Sequence, residues 1–221
     1  MLSVIIPTLN EEKNLEILLP IIKKYCDEIV IVDDGSIDNT IEIAKKYNAK
    51  IICRTKNLGV GSAVVEGARA AAYNIVAIVD GDLSHPCEVL KASYLIENNL
   101  VDIVKFSRFI SGGGMQNKLR WHLQGIYNRI INILAGTRVS DFTGGFLIAK
   151  KECFMYETTA RHGEWIIEFL YYNRNKKICE IPYTYNTRKY GKSKFSGKKD
   201  IYRIIRYIYF IFYYHFKITL K

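Results

Sequence analysis

The sequence predicts an α/β fold, a mostly parallel sheet flanked by helices, and three observations point to it. Short Val- and Ile-rich runs recur at 2–6, 29–32, 51–53, 75–79 and 102–106, then at 145–149 and 178–184. Helical stretches at 11–25, 38–48, 61–72 and 86–98 separate the first five. Two of the runs end in paired carboxylates, Asp33-Asp34 and Asp80-Gly81-Asp82. Continuous apolar runs bounded by turn residues suit parallel strands buried on both faces, and strand–helix alternation implies βαβ units.

The first strand is Leu2-Ser-Val-Ile-Ile6, and the second runs into Asp33-Asp34-Gly35-Ser36, a turn sequence. Asp38-Asn39-Thr40 supplies cap residues for the next helix, and Ser84-His85-Pro86 does so for the helix expected over 86–98, with Pro86 near its first position. After residue 106 the pattern changes: Gly112-Gly113-Gly114 is followed by a basic amphipathic helix from Lys118 to Ala135. No repeat or low-complexity linker interrupts the chain. It reads as one domain over 1–199 and a basic, aromatic amphipathic helix over 200–221.

Of the net charge of +10, +9 falls in residues 188–221, where ten basic residues meet one acidic residue, Asp200. Such a surface suits an anionic partner. The apolar run Tyr207–Tyr214 falls far short of the roughly 20 residues that span a bilayer. With Arg203, Arg206 and Lys217 around it and many Tyr and Phe, it favours the membrane interface over a helix packed on the sheet. Reversing Arg203 and Arg206 to Glu is then expected to weaken binding to anionic vesicles with little change in melting temperature. No recognition module accompanies the charge, so no nucleic-acid partner is expected. The five cysteines show no C-x-x-C or zinc spacing, and buried free thiols in a reducing compartment are expected. Leu2 enters a strand at once, so no signal peptide is expected.

In open α/β sheets ligands bind beyond the carboxyl ends of the strands, where these carboxylates stand. Carboxylates gathered there repel one another unless a cation joins them, and a divalent metal carrying a diphosphate is such a cation. Asp80-x-Asp82 alone is a weak signal, since an Asx cap on the following helix explains it too. The haloacid-dehalogenase nucleophile has the same spacing, but on the first strand and followed by Thr or Val, where this chain has Leu83 on a later strand. Gly59-Val60-Gly61 lacks the third glycine of a dinucleotide fingerprint, Val64 standing in its place, so a tight turn accounts for it. Arg108, Arg120, Arg188 and Lys194 read singly as surface charges and together as phosphate ligands. His85, His122, His162 and His215 form no cluster, and none is assigned a catalytic role.

Three segments together resemble the family 2 glycosyltransferases with the GT-A fold: Val4-Ile-Ile-Pro-Thr-Leu-Asn-Glu11, Val32-Asp-Asp-Gly-Ser36 and Asp80-Gly-Asp-Leu-Ser-His-Pro86. Further segments are similar to one branch of that family, the dolichyl-phosphate mannose synthases. These are Ser107-Arg-Phe109, Gly112-Gly-Gly114, Ser140-Asp-Phe-Thr-Gly-Gly-Phe146 and Arg188-Lys-Tyr-Gly-Lys-Ser-Lys194. The resemblance implies that Pro7, Leu9, Glu11, Val32 and Asp34 line a nucleoside pocket. It implies that Asp80 and Asp82 hold Mg²⁺ or Mn²⁺ on the donor diphosphate, with Gly81 close by, and that Arg188 and Lys194 close over that donor. Arg108 and Arg120 are implied as ligands of the acceptor phosphate, and the 118–135 helix as a membrane-surface element.

There are departures. Ser84 stands where the family often has a metal-binding Gln, Gln124 where it usually has Ser, and Glu164 where some members have a donor-contacting Lys. The expected reaction is an inverting transfer of a hexose to a polyprenyl or dolichyl phosphate at the cytoplasmic membrane face. Mannose from GDP-mannose is the first donor, and a UDP-hexose such as UDP-glucose the alternative. A phosphate acceptor is already ionised near neutral pH and needs no general base. Were the acceptor a sugar hydroxyl, Asp141 would be the base candidate. A separate membrane subunit is a further expected partner, and a non-catalytic nucleotide-binding module is the rival of a different class.

Overall fold

The computed structural model describes residues 1–136, 139–191 and 205–214. Nine strands and six helices follow in order: β1 (Leu2–Thr8), α1 (Glu12–Ile22), β2 (Glu28–Asp33), α2 (Thr40–Lys46), β3 (Lys50–Cys53), α3 (Val60–Ala70), β4 (Ile75–Ile78), α4 (Tyr94–Glu97), β5 (Ile103–Ser107), β6 (Gly114–Met115), α5 (Lys118–Ala135), β7 (Leu147–Lys150), α6 (Trp165–Tyr172), β8 (Ile178–Pro182) and β9 (Thr184–Tyr185). A further helix, α7, spans 205–214. Seven strands form one sheet in the order β3-β2-β1-β4-β7-β5-β8, with β7 antiparallel to both neighbours and all other pairs parallel. β6 and β9 form a separate parallel pair.

The period of two along each strand divides the core between the two faces. Ile5, Val30, Val32, Val76 and Ile78 pack with α3, α6 and α7. Val4, Ile6, Ile29, Ile31 and Ala77 pack with α1, α2 and residues 87–96 on the other face. The buried positions of α1, Leu15, Leu18, Leu19 and Ile22, follow the spacing of a helix with one apolar stripe. On α3, Gly67 brings the helix close to the sheet: a Cβ there would lie 2.4 Å from Ile5 Cγ2.

Two expectations change. The helix expected over 86–98 is a 3₁₀ helix, Cys87–Ser93, followed by the short α4. Its buried Cys87 and Leu90 lie three apart, the period of a 3₁₀ helix, and Ile96 of α4 is buried beyond them. Cys53 is exposed and Cys87 and Cys153 are buried, so the thiols are not uniformly interior.

The helix read as a membrane element is also a packed one. Tyr207, Phe210, Ile211 and Tyr214 of α7 are buried in the core, while Ile205, Tyr209, Phe212 and Tyr213 face outward. Arg206 pairs with the buried Glu164, and Tyr214 Oη donates to Glu168 at 2.8 Å. Glu164 thus belongs to the seat of α7. Arg206→Glu is therefore expected to cost about 3 kcal/mol, because it sets two carboxylates together with one of them buried. A thermal melt of that single variant checks this, and an unchanged melting temperature would contradict the pairing. Residues 200–204 and 215–221, including Arg203 and Lys217, lie outside the described residues.

Candidate active site

β1, β2, β4 and β5 run in one direction, so their carboxyl ends deliver Glu11, Asp33-Asp34, Asp80–Asp82 and Arg108 to one edge of the sheet. Strand order reverses at β1 and β4, the position at which open α/β sheets leave a ligand crevice.

The two Asp pairs differ in how their oxygens are used. Asp33 is buried and closes the turn, accepting from Thr8 Oγ1 at 2.9 Å and from Ser36 N at 2.7 Å. Asp34 pairs with Arg54 at 2.8 Å and accepts from Gly59 N at 3.0 Å. Arg54 continues to Glu66 at 2.7 Å. Asp34 thus fixes the 58–59 turn at the crevice wall. Gly59 has φ +92°, and a Cβ would lie 2.0 Å from Arg161 O, so both the turn and a close backbone approach require glycine. Pro7 and Leu9 are partly exposed at the end of β1 and just beyond it. Val32 has no exposed surface, so it supports the crevice from the core and does not line it.

Asp80 and Asp82 stand at the mouth of the crevice. Gly81 lies between them against Ile6, Thr8 and Glu11, and Leu83 follows in the left-handed region at φ +66°. Asp82 accepts from Ser84 N at 3.1 Å and pairs with Arg188 Nη2 at 3.1 Å. The same guanidinium reaches Glu11 at 3.0 Å. Asp80 keeps 49 % of its side-chain surface, and the 3.6 Å to His85 Nε2 is too long for a hydrogen bond. Partial desolvation by the protein packed around it and the adjacent Asp82 charge raise the Asp80 carboxyl above the ordinary range. Two repelling carboxylates fit a hard dication that takes its remaining ligands from a substrate phosphate and water. Among the described residues, no cluster of three His, Cys, Asp or Glu forms a protein-only cage.

His85 is a site residue that sequence reasoning missed. It stacks on Phe146 at 4.2 Å between ring centres, and its Nδ1 accepts from Asp80 N at 3.1 Å. That acceptor role places the ring proton on Nε2, facing the Asp80 carboxylate. Burial drives the imidazole well below its ordinary pKa. Its ring signals are expected not to titrate between pH 5 and 8 in an NMR pH series, and a midpoint near 6.5 would contradict this.

Arg108 and Asp141 form a buried fork, Nε to Oδ2 at 2.7 Å and Nη2 to Oδ1 at 2.8 Å. Gly144 N also donates to Asp141 at 3.0 Å. Asp141 has no exposed surface. Burial acts to raise its pKa, and the Arg108 charge outweighs that, holding it down to about 2. A carboxylate so engaged is not placed to accept a substrate proton, which corrects its reading as a base candidate. Arg108 Nη1 donates to Gln124 Oε1 at 3.1 Å, so Gln124 orients the guanidinium. Behind the fork, Glu180 accepts from Ser140 N at 2.8 Å and stands beside the fully buried Lys105 in the β5–β8 register.

Arg120 lies in the first turn of α5, whose cap residue Asn117 accepts from Arg120 N at 2.9 Å. It is exposed and lines a pocket of about 230 Å³ together with Asp82, Met115, Asn117, Tyr185, Thr187, Arg188 and Gly191. The structure thus brings Asp82, Arg188 and Arg120 around one space, with Asp80, Glu11 and Arg108 beside it. Lys194 lies outside the described residues.

The chain carries an Asp-x-Asp at the switch point of a doubly wound sheet, and its residues 3–156 match the family model for Glycosyl transferase family 2. The chain belongs to that family. Among curated proteins it is 34% identical to the dolichol-phosphate mannosyltransferase of Pyrococcus furiosus, covering 94% of this chain and 62% of that protein. It is 28% identical to the polyprenol monophosphomannose synthase of Mycolicibacterium smegmatis, covering 88% of this chain and 80% of that one. The chain therefore spans less than two thirds of the length of the Pyrococcus relative. Among solved structures, glucosyl-3-phosphoglycerate synthase from Mycobacterium tuberculosis with phosphoglyceric acid aligns with a TM-score of 0.72 at 20% identity, covering 97% of this chain and 79% of that one. The same enzyme has been solved with Mn²⁺ and uridine diphosphate, and that structure aligns at a TM-score of 0.68 and 20% identity, covering 93% of this chain and 76% of that one. These neighbours establish the GT-A fold. No helix among the described residues is long and apolar enough to cross a membrane.

Proposed function

We propose that this chain transfers a hexose, mannose from GDP-mannose, to a polyprenyl phosphate at a membrane surface. The observation that carries this reading is the position of Arg120. It lines the pocket beside Asp82 and Arg188, and it heads a helix whose exposed Leu119, Leu123, Ile126, Ile130 and Ile133 form a single stripe. A phosphate ligand at one end of an exposed apolar stripe suits a lipid phosphate, with its head in the pocket and its chain along α5. α7 packs beside α5, Tyr207 meeting Tyr127 with ring centres 6.1 Å apart, and it carries exposed apolar residues of its own, Ile205, Tyr209, Phe212 and Tyr213.

The donor diphosphate binds at Asp80 and Asp82 with Mg²⁺ or Mn²⁺, which supplies positive charge for the leaving group. Arg188 adds a second cation there, and Lys194 belongs to the same donor loop in sequence. Arg120 and the remaining Arg108 N–H hold the acceptor phosphate in line with the anomeric carbon, so one displacement inverts it. The engagement of Asp141 by Arg108 favours a phosphate acceptor over a sugar hydroxyl, since the former needs no general base.

Steady-state kinetics of Arg120→Ala test the acceptor assignment. The KM for polyprenyl phosphate is expected to rise at least tenfold, with the donor KM within twofold. A donor KM that rises instead would move Arg120 to the nucleotide. GDP-mannose and UDP-glucose, run as competing donors, assign the sugar.

A further inference from the structure

Asn14 is a buried polar residue of α1 that the reaction described above leaves without a role. It is 2% exposed, and its carboxamide is spent on a segment 176 residues away in sequence. Tyr190 N donates to Asn14 Oδ1 at 3.2 Å, and Asn14 Nδ2 donates back to Tyr190 O at 3.3 Å. The same Nδ2 donates to Glu11 Oε2 at 2.7 Å. One side chain therefore docks residue 190 by a reciprocal pair and orients Glu11. A second backbone bond, Asn186 N to Ser84 O at 3.0 Å, fastens the other end of the segment beside Asp82. Arg188, held between these two anchors, forks onto Glu11 and Asp82.

Arg188 thus supplies positive charge at one of the two carboxylates assigned to the dication. A dication arriving alone must share Asp82 with that guanidinium and meet its charge. A diphosphate arriving with the dication offers the guanidinium a better anion, bidentate and doubly charged, and frees the carboxylate. Resting on the donor-site reading above, we propose that Asn14 is a positioning residue that docks segment 186–191 so that Arg188 neutralises Asp82 until a nucleoside diphosphate draws it away, coupling dication and diphosphate binding. Binding linkage is reciprocal, so each ligand strengthens the other by one common factor.

The test is Mn²⁺ binding to the full chain, followed by the EPR signal of free Mn²⁺, alone and with saturating GDP or UDP. Wild type, Asn14→Ala, Arg188→Met and the double variant are compared, with thermal melts alongside. In wild type, the nucleotide that binds is expected to tighten Mn²⁺ about tenfold or more. Arg188→Met is expected to tighten Mn²⁺ alone by roughly fivefold to tenfold and to shrink the nucleotide effect by a similar factor. Asn14→Ala should reproduce most of that change, and the double variant should add little to Arg188→Met, as for two residues acting through one contact. Arg188→Met with Mn²⁺ affinity within twofold of wild type overturns the competition. Asn14→Ala that only lowers the melting temperature, while Arg188→Met acts as expected, overturns the docking role. Wild type that binds neither nucleotide with Mn²⁺ overturns the donor-site reading and this inference with it.

Discussion

Asp141→Ala is expected to destabilise the protein by about 3–5 kcal/mol, because it leaves the buried Arg108 guanidinium without its counter-charge. That is a large share of the roughly 5–15 kcal/mol that holds a typical domain together. It corresponds to a fall in melting temperature of about 10 °C for a chain of this size. Asp141→Asn keeps the shape and loses the charge, so it separates the ion pair from the packing and should recover part of the loss. The pH dependence follows from the same fork. Asp141 is held at about 2 in the folded protein against an ordinary 3.8, so the unfolded chain takes up the proton first as pH falls. The stability this group contributes is present above about pH 4 and is lost between about pH 4 and pH 2. Urea titrations at pH 3 and pH 6 check both points. An Asp141→Ala midpoint equal to that of wild type would mean that Arg108 finds another partner.

Asp82→Asn is expected to have the largest effect on turnover, a loss of roughly 10²–10³-fold, the range found when one preorganised charge-stabilising group is removed. Three roles converge on this residue: it faces the pocket, it accepts from Ser84 N and it receives Arg188. The fold should persist, since Glu11 remains to hold Arg188. Metal-dependent nucleotide binding should fall together with turnover. A variant that keeps a tenth of wild-type turnover would remove Asp82 from the reacting centre.

The sheet was legible in the sequence because strands buried on both faces need unbroken apolar runs. Ile29–Val32 and Ile75–Val79 satisfy that requirement within a few residues. The Asp pairs were legible because they follow those strands directly. Residues paired across the fold were not. Nothing local distinguishes Asn14 from any other helix-start asparagine, and its partner lies 176 residues away. Arg54 reads as a loop cation until Asp34 and Glu66 are placed on either side of it. Asp141 reads as a free carboxylate until Arg108 closes on it. Lys105 gave the clearest unused signal, a lysine inside the apolar run Ile103-Val-Lys-Phe106, and such a residue is tolerated only with polar company such as Glu180. The packing of α7 was not legible because the apolar run Tyr207–Tyr214 serves two faces, one turned to the core and one outward, and periodicity alone does not assign them.

The most direct measurement is transfer of labelled sugar from GDP-mannose into an organic-extractable product, with purified protein, Mg²⁺ or Mn²⁺ and a polyprenyl phosphate. Label in the lipid phase that requires metal and disappears with Asp82→Asn is the predicted result. No lipid-phase label from either GDP-mannose or UDP-glucose, under conditions where metal and nucleotide bind, would contradict the lipid-phosphate acceptor.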